Sequence, residues 1–127
     1  MIRVAAALAF AAVATAGCGG TAALLTTQDV ASCLADRGVE TAPRGDTNSA
    51  TEVLAFVVPG SPPAHGFLIF VDPAEEAQTL EQDIRKSARD AGSVAHTLRE
   101  RNVIAHFFTA RAPTERQQRP IRACLEE

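Results

Sequence analysis

The chain has 127 residues, 46% of them hydrophobic and 21% charged, which suits one packed domain and is too apolar for a disordered chain. A formal net charge of −3 and the absence of both Trp and Tyr exclude the basic, ring-stacking surface of a general nucleic-acid binder, so no nucleic-acid partner is expected. The three cysteines, Cys18, Cys33 and Cys124, leave one thiol over after any pairing.

Met1-Ile2-Arg3 is a short basic start, and Val4 to Ala16 is uncharged and mostly small or apolar, the pattern of a secretory signal. Thr15-Ala16-Gly17-Cys18 then resembles the lipobox of bacterial lipoproteins, with Thr15 where that family prefers Leu. The resemblance covers residues 1–18 only. It implies a signal peptide over 1–17, diacylglyceryl transfer to the Cys18 sulfur, cleavage before Cys18, and anchoring by acyl chains on the extracytoplasmic side of the membrane. Residues 18–27 then form the lipidated Cys and a small-residue tether, and 28–127 a single globular domain. Ala14-Thr15-Ala16 also fits an ordinary signal-peptidase site, which would release a soluble secreted protein. The uncharged stretch from Val4 to Leu25 has the length of an uncleaved membrane helix, although Gly17, Gly19 and Gly20 disfavour one there. Every one of these readings exports the domain.

Lipid on Cys18 leaves Cys33 and Cys124 as one pair in an oxidising compartment. Val30, Cys33 and Leu34 share the i, i+3, i+4 spacing of Ile121, Cys124 and Leu125, so each Cys falls on the apolar face of a helix. With no C-x-x-C spacing and no neighbouring His, a structural disulfide is expected rather than a redox or metal pair.

Along the domain, Thr26 or Thr27 caps a first helix over 27–37, stopped by Gly38. Glu40 to Ala50 reads as a loop, from Pro43, Gly45, Asp46, Asn48 and Ser49. Glu52 to Val58 and Phe67 to Val71 are apolar strands on either side of a Pro-rich connection, Pro59 to Gly66. Neither strand alternates cleanly, which predicts cover on both faces or a self-association surface. Asp72-Pro73-Ala74-Glu75 has capping-box spacing, with Asp72 as N-cap of a helix that runs to Ala91 and stops at Gly92. Val94 to Leu98 and Val103 to Thr109 form a hairpin around Arg99 to Asn102. Pro113 to Arg119 reads as a polar connector, with Pro120 opening a last helix. The order α-β-β-α-β-β-α predicts an α+β fold, a four-stranded antiparallel or mixed sheet with helices packed against it.

Signals for chemistry are sparse. His96 and His106 fall on paired strands, and some registers would make them cross-strand neighbours able to hold a metal; no third ligand is near, so no metal site is expected. Ser61 and His65 share a loop without a Gly-x-Ser-x-Gly elbow, and Asp72, Glu75 and Glu76 suit a helix start better than acid/base catalysis. No catalytic residue and no cofactor are expected. Charge is segregated: residues 29–83 carry −8 and 85–122 carry +6, with Arg supplying eleven of the twelve bases. Arg85, Lys86, Arg89, Arg116, Arg119 and Arg122 are therefore the candidate anionic-ligand face, for an anionic envelope component or an acidic protein. The sequence thus points to an exported, lipid-anchored, non-catalytic binding or accessory module at the membrane surface. The alternative is a small secreted hydrolase or metal-handling protein using His65, His96 or His106.

Overall fold

A computed structural model describes residues 24–44, 52–108 and 111–127. The signal, the lipobox with Cys18, most of the expected tether, the loop residues 45–51, and residues 109–110 at the end of the expected last strand lie outside the described residues. The chain orders as α1 (Thr27–Asp36), β1 (Glu40–Arg44), β2 (Glu52–Val58), β3 (Ala64–Phe70), α2 (Glu76–Asp90), β4 (His96–Glu100), β5 (Val103–Phe107) and α3 (Glu115–Glu126). The strands form one antiparallel sheet in the order β1-β2-β3-β5-β4. The class is α+β, with five strands rather than four.

The added strand is β1, where a loop was expected. Pro43 argues against a strand in sequence terms, because a proline has no N–H to donate to a ladder and is confined to sheet edges. Pro43 pairs with Leu54 from the outermost strand, so its missing N–H leaves no gap inside the sheet.

Two helical layers sandwich this sheet. One face carries Leu54, Phe56, Val58, Leu68, Val103, Ala105 and Phe107, and buries Val30 and Leu34 of α1 with Ile121, Cys124 and Leu125 of α3. Phe56 and Phe107 meet edge to face at 5.2 Å in its centre. The opposite face carries Ile69 and Ile104, covered by Ala77, Leu80 and Ile84 of α2. Alternation along β5 explains the division: Val103, Ala105 and Phe107 point one way and Ile104 and His106 the other.

The helix ends follow their own local chemistry. Thr26 caps α1 by accepting from the Asp29 N–H at 3.1 Å, and Gly38 and Gly92 follow α1 and α2 with φ of 81° and 80°. At α2 the expected cap is displaced. The helix begins at Glu76 rather than behind Asp72, because the carbonyls of Pro73 and Ala74 already accept from the N–H groups of Glu76 and Ala77. At α3 the helix begins five residues before Pro120. Thr114 and Gln117 form a reciprocal capping box that holds the first turn, and Ile121, Cys124 and Leu125 bury the stripe beyond it. Packing therefore outweighs the penalty of about 3 kcal/mol for an interior proline.

Cys33 of α1 and Cys124 of α3 are disulfide-bonded, with Cα atoms 5.8 Å apart and a sequence separation of 91. On the second layer Glu81 of α2 accepts from Thr97 Oγ1 at 2.7 Å and Arg99 Nε at 2.9 Å of β4, and from Arg85 at 3.4 Å. Burial acts to raise the Glu81 pKa, but these three donors together hold it below the usual carboxylate value.

Two outcomes follow. Replacing Cys33 and Cys124 by Ser is expected to lower unfolding free energy by about 4–5 kcal/mol in the chain-entropy model, read from denaturant titration. Glu81→Gln is expected to cost about 1–3 kcal/mol at neutral pH. Since the folded pKa of Glu81 is depressed, that difference is whole above the ordinary carboxylate value of 4.5 and shrinks as pH falls below it, measured by the same titration across pH.

Candidate functional site

The two ends of the sheet differ. At one end lies the β4–β5 turn, Arg101-Asn102, in which Arg101 has a φ of 52°. Asn102 is 3% exposed; its side chain donates to the Leu25 carbonyl at 3.1 Å and accepts from the Leu25 N–H at 2.8 Å. Its own carbonyl accepts from the Val71 N–H at 2.8 Å. Leu25 also packs against the main core, so the folded body includes Leu25, ahead of residue 28. Asn102 is the clamp where the segment from the N-terminus enters the domain.

At the other end the Pro59–Pro63 connection, Phe108 and the start of α3 enclose a cleft of about 620 Å³. Gln117, buried under it, donates to the Pro62 carbonyl at 2.9 Å and accepts from the Thr114 N–H at 3.1 Å, so one side chain joins the connection to the helix start. Gly60 permits the contact: a Cβ there would collide with the Gln117 amide. The walls are Pro62, Pro63, Pro113 and the half-exposed Phe108, the charge comes from Arg111 and Arg116 with His65 beside them, and no carboxylate is among the described lining residues. Such a cleft suits an anionic ligand with some apolar surface. Ser61 also lines it, with no hydrogen bond to His65 among the described residues.

Phe108 is also a ridge between this cleft and a broad, open depression lined by Leu80, Ile84, Val94, His96 and His106. The Phe108 ring stands edge-on to Phe67 at 4.8 Å and to His106 at 4.3 Å. His106 pairs with Thr97, and His96 pairs with Phe107, so the register sets the two imidazoles one residue out of step, on opposite faces of the sheet, rather than directly across from each other. No group of three metal-ligating side chains occurs among the described residues. Burial first, and then the nearby His96, hold His106 below the ordinary imidazole pKa.

The six bases singled out by charge segregation do not form one face. Arg85, Lys86 and Arg89 sit on α2, and Arg116, Arg119 and Arg122 on α3, on opposite sides of the sheet. Arg85 pairs with Glu81, Lys86 with Asp90 at 3.0 Å and Arg122 with Glu115 at 3.6 Å, which neutralises half of the set. Of the six only Arg116 reaches the cleft. Arg111, Phe108 and Gln117 were not singled out from the sequence; the Thr114-x-x-Gln117 capping box was the available signal. Asp72, Glu75 and Glu76 lie exposed at the turn into α2.

No protein-family model, no curated protein and no solved structure matches the chain. The reading of the site therefore rests on its own geometry.

His106 yields a pH outcome. Its folded pKa is depressed, so its stabilising contribution is whole above the ordinary value of 6.5 and lost as pH falls below it. His106→Gln is expected to flatten the loss of stability between about pH 7 and about pH 5, measured by thermal unfolding across that range.

Proposed function

We propose that the chain is an exported, lipid-anchored, non-catalytic binding module of a bacterial cell envelope, with its ligand cleft turned away from the membrane. The observation that carries the reading is the Cys33–Cys124 bridge, which joins two of the three thiols inside the fold and leaves Cys18 for the lipid. Two or three acyl chains on Cys18 are enough for durable anchoring, where a single chain is marginal.

The position of the cleft supports the rest. Leu25 enters at the β4–β5 turn, and the cleft lies beyond the far ends of β5 and α3. The five residues of β5 span about 15 Å and the twelve of α3 about 18 Å. A domain tethered through Leu25 holds the cleft on its outer end, where Arg111, Arg116 and His65 meet an anionic wall polymer or an acidic protein sooner than the headgroups of the anchoring membrane.

The test is intact mass and thiol counting on the chain isolated from native membranes. The expected result is a processed chain starting at Cys18, heavier by a diacylglyceryl group and further acyl chains, with no free thiol. An unmodified Cys18, or a Cys33 that alkylates in the folded chain, overturns the reading.

A further inference from the structure

Two of the three large apolar side chains exposed among the described residues, Val94 at 74% and Phe108 at 48%, line the same open depression beside the cleft. The third, Leu24, adjoins the Asn102 clamp at the opposite end. Backbone hydrogen bonds hold both in place. Gly92, with its φ of 80°, turns the chain out of α2, and the Ser93 N–H donates back to the Ala88 carbonyl at 2.8 Å, which fixes Val94 one residue on. The Phe108 N–H donates to the His65 carbonyl at 2.7 Å, which extends the β3–β5 pairing past Phe107. Leu80 and Ile84, which cover the Ile104 side of the sheet, also line this space of about 1140 Å³. His106, held below the ordinary imidazole pKa by burial, adds no charge to it at neutral pH.

Charge is divided across the Phe108 ring. On the cleft side the described lining carries Arg111 and Arg116 and no carboxylate. On the depression side it carries the carboxylate of Asp83 and neither Arg nor Lys.

We infer that cleft and depression together hold one single-chain amphiphile, its anionic head in the cleft and its hydrocarbon chain laid over Phe108 into the depression. It rests on the anchored, anion-binding reading above and narrows that ligand to an anion that carries a hydrocarbon chain. The division of charge sets the direction. An anion over Val94 and Leu80 would lose water to apolar surface with no cation to replace it, and would meet Asp83. A hydrocarbon chain gains from the same surface, and the exposed Asp83 keeps its water. A polymer charged at every unit, or an acidic protein surface, uses the cleft and leaves the depression unfilled. Because the tether turns this end away from the anchoring membrane, the amphiphile enters as a single molecule rather than as part of a bilayer. A fully enclosed methylene is worth about fourfold in affinity, and one laid on an open surface about twofold.

The test uses the processed chain with Cys18→Ser, which has no acyl chain of its own to compete, titrated by calorimetry with alkyl phosphates below their micelle concentrations. Dodecyl phosphate is expected to bind one per chain, and affinity to fall about twofold for each methylene removed, or about sixtyfold at hexyl phosphate. Dodecyl maltoside, with the same chain and no charge, is expected to bind at least tenfold more weakly. Val94→Asp and Arg116→Gln change exposed side chains, so the fold and the Cys33–Cys124 bridge stay intact. The first is expected to weaken dodecyl phosphate at least tenfold and ethyl phosphate hardly at all, the second to weaken both. Affinity independent of chain length, dodecyl maltoside as tight as dodecyl phosphate, an unaffected Val94→Asp chain, or adsorption to phosphatidylglycerol vesicles without binding of the monomer overturns the inference. Binding that ignores chain length leaves the anionic cleft standing, whereas no binding of any alkyl phosphate overturns both.

Discussion

The α1–α3 layer depends on the sheet beneath it and on one covalent link. α1 has ten residues, and α3 carries a proline in its interior, so neither is long or regular enough to persist alone in water. Each becomes a helix by burying a stripe on Phe56, Leu68 and Phe107, and the Cys33–Cys124 bridge removes the freedom of one stripe to leave the other. That layer also orients the molecule. α3 runs from the cleft at its capped start to the neighbourhood of Arg101 at its end, where the Glu127 carbonyl accepts from the Arg101 guanidinium at 2.9 Å. The cleft and the turn that holds Leu25 are thus separated by one helix and one buried strand.

Coverage of the other face follows from connectivity. α2 links β3 to β4, which lie on either side of β5, so the helix must cross over β5 and remains on that half of the sheet. Among the described residues no helix is left to cover the second face of β1 and β2. An apolar β2 in that position has the composition of a strand covered on both sides, and the chain itself covers only one with its described helices.

How far the sequence was legible varies by element and for identifiable reasons. β2, β3, α1 and the disulfide were readable because apolar spacing and thiol parity are local or countable. β1 was not, since a strand of Glu, Thr, Ala, Pro and Arg has no strand propensity of its own and exists by pairing with β2. The start of α3 was hidden behind Pro120, whose weight as a local signal exceeded that of the Thr114–Gln117 box. The basic face failed for a topological reason: the two segments were assigned to opposite sides of the sheet, and half of the charges found acidic partners one or two turns away on their own helices.

By itself the sequence determined which residues are apolar and at what period, which thiols pair once Cys18 is set aside, and where glycines end two helices, because each of these is settled within a few residues or by counting. Only the tertiary structure decided that Gln117 and Pro62, 55 residues apart, close a cleft, that Asn102 clamps Leu25 across 77, and that the described helices cover only half of one sheet face. Those contacts join segments far apart along the chain, and their partners are chosen by how strands order in the sheet rather than by any signal carried near either residue.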